Sequence, residues 1–269
     1  MCKDKDIFTG RLCPMPPILS ACLVICHCGD EVDLALRCIQ SADLEVSVFL
    51  SDNSPDEMTA ERLKWSFPGL VVLPQDKNVG LSRAHNAVLP HLQSKYHLIM
   101  DPGVSFHPSL LRRMVSYMEA HPNIAVLSPR FLSDDGTEID LPRRQLTERY
   151  LLGTMFSGLG GVFRKWHQAY LFGDRDAEFS VPVESAPVEC MLIRTEAFRT
   201  LEGFDTRFSR ALADTDLCRR VLERRLGSVI YHPDFQVIYR QKESSTVLGC
   251  CRHTPGAVCR YFIKWGITL

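Results

Sequence analysis

The sequence predicts an α/β protein whose central sheet is mostly parallel and carries helices on both faces. Short apolar runs alternate with amphipathic segments from residue 21 to residue 130, which is the pattern of repeated β/α units. The length also suits this class. A chain of 269 residues, 45% hydrophobic and 23% charged, suffices for one large α/β domain or two small ones.

The first half of the chain supplies most of this alternation. Its first strand is the apolar run "ACLVICHC" (21–28), which lies between a proline-rich stretch and Gly29. A helix follows, because Val32, Leu36 and Ile39 recur at helical spacing. The next strands are "EVSVFLSD", "LVVLPQ", "YHLIM" and "IAVLSPR", and the helices between them are "PDEMTAERLKW", "VGLSRAHNAVLPHL" and "PSLLRRMVSYMEAH".

The second half is less regular. Residues 150–188 mix apolar residues with glycine without a clear period, which predicts an irregular, partly mobile region. A strand and a short helix then end at Gly203. The segment "ADTDLCRRVLERRLG" predicts a helix that Asp214 or Thr215 caps and Gly227 ends. Two short strands, "SVIYHP" and "QVIYR", precede a basic, aromatic-rich C-terminal segment.

Composition argues against several classes of protein. A net charge of -1 and a pI of about 6.7 disfavour a general nucleic-acid binder. No apolar run approaches the roughly 20 residues of a membrane span. The mixed charges of the first residues do not resemble a signal peptide, so we expect a cytoplasmic protein.

The eleven cysteines are scattered and several lie inside apolar runs, which favours reduced thiols that pack as small hydrophobic residues. A zinc site is the alternative. Its first ligands would come from Cys22, Cys26, His27 and Cys28, and a second pair from Cys250, Cys251 and His253. The adjacent cysteines of that second pair are unusually spaced for zinc, so the buried-thiol interpretation is preferred.

Polar residues follow three of the predicted strands. Because ligands of such sheets bind beyond the carboxyl ends of the strands, we expect Asp52, Asn53, Asn78, Arg83 and Asp101 to gather at one edge. The chain has no G-x-G-x-x-G after its first strand, no P-loop and no G-x-S-x-G. These absences argue against the usual dinucleotide fold, a P-loop nucleotidase and an α/β hydrolase.

Several ordered motifs together identify a resemblance. The segments "NVGLSRAHN", "GFDTRF…DTDLCRRV" and "RYFIKWG" resemble inverting family 2 glycosyltransferases with the Rossmann-like GT-A fold. The likeness runs from about Ala21 to Gly266, and it is strongest to bacterial rhamnosyltransferases of O-antigen and surface-polysaccharide assembly. It implies a dTDP- or UDP-linked sugar donor, a divalent cation (Mg or Mn) and a lipid-linked oligosaccharide acceptor.

The resemblance also implies residues of the donor site. Asp52 matches the acid that hydrogen-bonds the pyrimidine, and the alternative for it is an Asx turn. Asn78 and Gly80 would shape the next loop, and Asn86 would lie one turn into the helix. Arg83 could reach the diphosphate or lie on a solvated helix face.

Asp101 stands where the family carries its metal motif, often N-P-D or D-x-D. Here the triplet is Asp101, Pro102 and Gly103, so glycine replaces the acid that normally binds the ion. Because Mg²⁺ commonly takes only one or two carboxylates from protein, Asp101 alone could still hold it, directly or through water. The alternative is a weakened or lost metal site.

The resemblance places the general base in "ADTDLCRR". Asp214 matches the residue that removes the proton of the acceptor hydroxyl, Asp216 matches a later acid, and Ala213 replaces the first acid. The alternative role for Asp214 is a helix N-cap. Glu189 would border the acceptor pocket. Arg240 could contact the diphosphate where the family tends to have histidine, or it could be a solvated surface charge.

The implied organisation has three parts. Residues 1–20 form an N-terminal extension and residues 21–249 form the GT-A domain, with a donor half to about residue 130 and an acceptor half after it. Residues 250–269 would form a basic aromatic segment, which could lie peripherally on the cytoplasmic face of the inner membrane or simply pack on the domain. A diverged, weakly active binding or scaffold subunit of a polysaccharide-assembly complex is the alternative to an enzyme.

Overall fold

The computed structural model of the protein describes residues 17–26, 29–54, 58–139, 143–172, 178–240 and 255–266. His27, Cys28, Cys250, Cys251 and His253, which the zinc alternative requires, lie outside these residues, as does most of the N-terminal extension. Cys22, by contrast, is a buried free thiol, and burial raises its pKa to about 12. This cysteine therefore packs as a small hydrophobic residue.

In the described residues, a ten-stranded sheet forms the centre of the fold, in the order β3-β2-β1-β4-β9-β6-β10-β5, with β7 paired to β6 and β8 to β10. The run from β3 to β4 is parallel, whereas β9 lies antiparallel between β4 and β6. The strands are β1 Leu19–Ile25, β2 Val46–Asp52, β3 Val71–Pro74, β4 Tyr96–Met100, β5 Val104–Phe106, β6 Ile124–Leu132, β7 Glu138–Ile139, β8 Val181–Pro182, β9 Cys190–Arg194 and β10 Ser228–Tyr239.

Helices cover both faces of this sheet. Alternate residues of β1 point to opposite sides, so that Leu23 joins one hydrophobic core and Cys22 the other. The predicted α/β class is confirmed. The helices are α1 Glu31–Gln40, α2 Thr59–Ser66, α3 Leu81–Asn86, α4 Leu110–Ala120, α5 Glu148–Phe156, α6 Gly161–Tyr170, α7 Thr195–Thr200, α8 Ala213–Glu223 and α9 Pro255–Trp265.

The expectation of an irregular region at 150–188 was wrong for its first part, because α5 and α6 pack against each other as a helical hairpin. Gly153 allows this close approach, since a Cβ there would lie 2.8 Å from the Cβ of Trp166. Glycine adds nothing to a hydrophobic period, so Gly153 interrupts the apolar pattern of α5.

Two smaller expectations also need correction. The segments "SVIYHP" and "QVIYR" form the single strand β10, which carries a register irregularity between His232 and Gln236. The helix α8 is capped neither by Asp214 nor by Thr215. Its N-cap is Leu212, in the left-handed conformation at φ 63°.

Candidate active site

A cleft of about 340 Å³ opens at the carboxyl ends of β1, β2 and β4. This is the edge at which the polar residues after the strands were expected to meet. Among the described residues, the cleft is lined by Val24, Cys26, Asn53, Asn78, Gly80, Leu81, Asp101, Pro102, Ser209, Arg210 and Tyr239.

One wall of the cleft is a hydrogen-bonded loop that follows β3. The side chain of Asn53 donates to Asn78 Oδ1 at 3.0 Å and accepts from the backbone N–H of Val79 at 2.8 Å. Asn78 Oδ1 also accepts from the backbone N–H of Gly80, and its amide group donates to the sulfur of Cys26 at 3.2 Å. Asn53 and Asn78 therefore fix the loop against the ends of β1 and β2.

The same loop supports the opposite wall. Gly80 has φ 81°, a conformation that favours glycine, and a Cβ on it would make a tight contact of 3.0 Å with Ser209 Cβ. The backbone N–H of Ser82 donates to the Ser209 carbonyl at 3.1 Å, and its hydroxyl donates to the Phe208 carbonyl. These contacts hold the segment that carries Arg210 beside the cleft.

Asp101 lies at the bottom of the cleft, directly after β4. Its backbone N–H donates to the Glu189 carbonyl at 2.8 Å, and its Oδ1 accepts from the backbone N–H of Gly103 at 2.9 Å. The other carboxylate oxygen, Oδ2, is 3.9 Å from Arg210 Nη2. Asp101 is thus held by backbone contacts and faces a cation.

Gly103 is enclosed. A Cβ at this position would lie 2.9 Å from the Arg240 carbonyl oxygen and 3.2 Å from both Asp101 Oδ1 and Tyr239 Cε2. Because the nearest of these atoms belongs to the backbone, an acidic side chain at position 103 would require the end of β10 to move.

These residues fit a divalent ion poorly, because the one carboxylate of the described cleft lining lies beside a cation. The part of the chain that the structure describes contains no group of three or more His, Cys, Asp or Glu side chains able to hold a metal. Asp101 offers one carboxylate, and an ion on its Oδ2 would lie within a few ångströms of the like-charged Arg210, 3.9 Å from the same oxygen.

A small recess behind Asp101 is lined by His85, Glu189 and Arg210, among others. Glu189 is buried there. Burial, and to a lesser extent the charge of Arg210, lower the pKa of His85 to about 3. His85 is therefore neutral near pH 7.

Asp52 is the last residue of β2, beside Ile25, and is buried. Its Oδ1 accepts from the backbone N–H of Ser54 at 3.1 Å, which is the Asx-type contact named as the alternative. Arg83 is exposed on α3, and among the described residues it does not belong to the cleft lining.

Asn86 lies at the end of α3 and contacts the turn after α7. Its Oδ1 accepts from the backbone N–H of Phe204, and its Nδ2 donates to the Phe204 carbonyl, both at 2.8 Å. This side chain therefore positions the segment that leads to Arg210 and α8, and it is not among the described residues that line the cleft.

Asp214 is the second residue of α8 and is buried, with 9% of its surface exposed. Its Oδ1 accepts from the backbone N–H of Thr215 at 2.8 Å. A carboxylate in the first turn of a helix is stabilised as an anion by the helix dipole. This position suits a group that acts as a base in its ionised form.

Asp216 is fully buried and lies in a different environment from Asp214. It accepts from Arg220 Nε at 2.8 Å, from Lys264 Nζ at 2.5 Å and from Trp265 Nε1 at 2.9 Å. Lys264 also donates to Asp205 at 2.8 Å. Asp216 therefore anchors α9 to α8.

Arg240 lies at the end of β10, where its backbone N–H donates to the Gly103 carbonyl at 3.0 Å. Its guanidinium, about half exposed, donates through Nε to the Asp134 carboxylate at 3.1 Å. Tyr239, beside it, lines the cleft instead.

Sequence reasoning missed Arg210 as a candidate. It precedes Asp214 by four residues in "SRALAD", and a basic residue so close to the expected base was the available signal. No hydrophobic period marks Arg210, because it lies in the loop before α8. Its neighbours Phe208 and Ser209 are held by Ser82 and Gly80.

Comparison with known proteins agrees with this architecture. Residues 21–201 match the family model described as "Glycosyl transferase family 2". The chain is also 24% identical over 245 residues to the N-acetylglucosaminyl-diphospho-decaprenol L-rhamnosyltransferase of Mycobacterium tuberculosis, in an alignment that covers 86% of this chain and 78% of that protein.

Among solved structures, the chain resembles the mannosyltransferase PcManGT from Pyrobaculum calidifontis in complex with GDP-Man and Mn²⁺. The TM-score is 0.64 at 14% identity, over 92% of this chain and 64% of that one. It also resembles S. aureus TarS, with a TM-score of 0.56 at 11% identity, over 84% of this chain and 37% of that one. The chain thus spans less than two thirds of either solved chain, and these likenesses show a common GT-A fold.

Proposed function

Because the chain belongs to glycosyl transferase family 2, we propose that it moves an L-rhamnosyl group from a dTDP- or UDP-linked donor to a lipid-linked or growing surface glycan, with inversion. The relative from M. tuberculosis, whose name describes rhamnosyl transfer to a diphospho-decaprenol lipid, supports the choice of sugar and acceptor. The observation that carries the donor site is the cleft in which Asn53, Asn78 and Asp101 meet at the carboxyl ends of the parallel strands.

The donor would lie along this cleft. Asp52, at the end of β2, would accept the ring N–H of the pyrimidine, since a carboxylate offers only acceptor positions. Asn78 and Gly80 would shape the wall beside the ribose and diphosphate. Asp101, at the bottom, would lie nearest the diphosphate.

Asp214 is the proposed general base. It would remove the proton of the acceptor hydroxyl while that oxygen forms its bond to the anomeric carbon. The bond between this carbon and the diphosphate oxygen breaks in the same step, and the nucleoside diphosphate leaves with the bonding electrons. Attack opposite the leaving group inverts the anomeric carbon, and the proton remains on Asp214.

Three other candidate residues receive supporting roles. Asn86 would position the segment before α8 through its two bonds to Phe204. Asp216 would keep α8 and α9 together, and Glu189 would border the sugar from the recess beside Asp101. Arg240 and Arg83 would contact the diphosphate only after their side chains turn towards the cleft.

The complex of PcManGT with GDP-Man contains Mn²⁺, but we assign no step of the reaction in this chain to an ion. Among the described residues that line the cleft, Asp101 is the one carboxylate, and it lies next to Arg210.

The α5–α6 hairpin is the proposed contact with an anionic lipid surface. Its apolar side chains are exposed, among them Leu159 at 75% and Met155 at 51%. The hairpin also carries three basic residues and one acid, which is the charge that anionic lipid attracts (Arg149, Arg164, Lys165 and Glu148). By contrast, α9 turns Lys264 inward. No helix among the described residues is long and apolar enough to cross a membrane.

A donor screen tests the proposed function. The full chain is incubated with dTDP-L-rhamnose or with a series of UDP-sugars, and with an N-acetylglucosaminyl-diphospho-lipid as acceptor. We expect a rhamnosylated lipid by mass spectrometry and an inverted anomeric configuration by NMR. If none of the donors is hydrolysed or used for transfer, the proposal is overturned.

The alternative function, a nucleotide-binding scaffold, is favoured by two departures from the family pattern, Gly103 and Ala213. The same screen separates it from the enzyme. Nucleotide binding in calorimetry without any sugar transfer would support the scaffold.

A further inference from the structure

We propose that Arg210 binds the diphosphate of the donor and supplies the positive charge that a divalent cation would otherwise provide, so that nucleotide binding by this chain does not require a metal. The inference rests on the proposed function, since it concerns the same donor site.

Arg210 has the location that this role requires. Among the described residues that line the cleft, it is the one Lys or Arg side chain, and it lies opposite Asp101 at the carboxyl end of β4. Its side chain is 46% exposed, whereas that of Asp101 is 20% exposed. A guanidinium that reaches the cleft opening can donate two parallel hydrogen bonds to phosphate oxygens.

The carboxylate of Asp101 attracts the guanidinium of Arg210 at the cleft. Their separation of 3.9 Å is longer than a hydrogen bond, so the attraction is one of charge and not of direction. Asp101 itself is fixed by its bonds to Gly103 and Glu189. The carboxylate can therefore hold the guanidinium above the cleft while the guanidinium meets an anion.

The segment that carries Arg210 is also fixed. Ser82 donates to the carbonyls of Phe208 and Ser209, and Gly80 packs on Ser209. Behind the arginine, His85 stays neutral and adds no second cation. A preorganised cation suits the stabilisation of a leaving diphosphate, because it needs no reorganisation when the charge develops.

The residues around Asp101 disfavour a divalent cation at this position. An acid at position 103 would place its Cβ 2.9 Å from the Arg240 carbonyl, so the second metal ligand of the family has no space. An ion at about 2.1 Å from Asp101 Oδ2 would also be repelled by Arg210. The charge of Arg210 therefore disfavours a metal ion on Asp101 Oδ2.

Isothermal titration calorimetry with UDP and dTDP tests the inference. The full chain is titrated once in EDTA and once with Mn²⁺, as the wild type and as Arg210→Ala and Arg210→Lys. Arg112→Ala is the matched control, because Arg112 is an exposed arginine of α4, away from the described lining of the cleft. Melting curves check that each variant is folded.

We expect the wild type to bind equally in EDTA and in Mn²⁺, within about threefold. Arg210→Ala should weaken binding by about 10- to 100-fold, Arg210→Lys by less, and Arg112→Ala not measurably. Binding that disappears in EDTA and returns with Mn²⁺ would overturn the inference but leave the proposed function intact, as would an unchanged affinity of Arg210→Ala. Failure of the wild type to bind either nucleotide under both conditions would overturn the proposed function itself.

Discussion

The anchor between α8 and α9 gives a stability prediction whose size follows from the contacts of Lys264. Its ammonium lies 2.5 Å from Asp216, which is fully buried, and 2.8 Å from Asp205. Removing one partner of a buried ion pair destabilises proteins by about 3–5 kcal/mol. Because Arg220 still bonds Asp216 in the variant, we expect Lys264→Met to lower the free energy of unfolding by about 3 kcal/mol, at the lower end of this range.

Urea unfolding followed by circular dichroism measures the effect. Lys64→Met, at an exposed position of α2, serves as the control and should change stability by less than about 0.5 kcal/mol. A double-mutant cycle sharpens the test. In an Asp216→Asn background the same lysine substitution should be much milder, since only the pair with Asp205 is then lost. Equal losses in both backgrounds would refute the reasoning.

Three further predictions follow from other parts of the structure. Gly103→Ala should lower the free energy of unfolding in urea by about 1–3 kcal/mol, because the new Cβ would press on backbone atoms. Gly158→Ala should be nearly neutral, because nothing lies within 4 Å of the added Cβ. Burial lowers the pKa values of His85 and His97 to about 3. The free energy of unfolding should therefore fall as the pH drops below about 6.5, because the unfolded chain takes up protons there, by up to about 1.4 kcal/mol per pH unit for each histidine. A stability that stays constant between about pH 7 and about pH 5 would contradict this. Leu159→Glu should weaken binding to anionic vesicles in a sedimentation assay, and Ile263→Glu on α9 should not; the reverse result would assign the contact to α9.

The position of the cleft was predictable from the sequence, because strands leave a strong signal. The apolar runs before Asp52 and Asp101 define where two parallel strands end, and parallel strands place their ends at one edge. Asn78 and Gly80 follow the neighbouring strand β3, and their loop lies at the same edge. The family and the enzyme class that these motifs indicated are confirmed by the match over residues 21–201.

The rest depended on contacts between distant segments. Arg210 reaches the cleft through the bonds of Ser82 to the loop before α8, a pairing of residues more than 120 positions apart. Asn86 belongs to a motif of the family, but its amide group bonds Phe204 and does not line the described cleft. Asp214 and Asp216 are neighbours in one motif, but helical geometry turns the second towards α9. No local sequence pattern predicts these contacts between distant segments.

The role of Asp214 as general base is the central claim, and one measurement tests it most directly. With the donor and lipid acceptor that the wild type uses, the turnover of Asp214→Asn is compared with that of the wild type, and nucleotide affinity is measured beside it. The amide cannot accept the proton, so we expect turnover to fall by at least about 100-fold while nucleotide affinity stays within about threefold. Turnover that survives the substitution would contradict the assignment of Asp214 as the base.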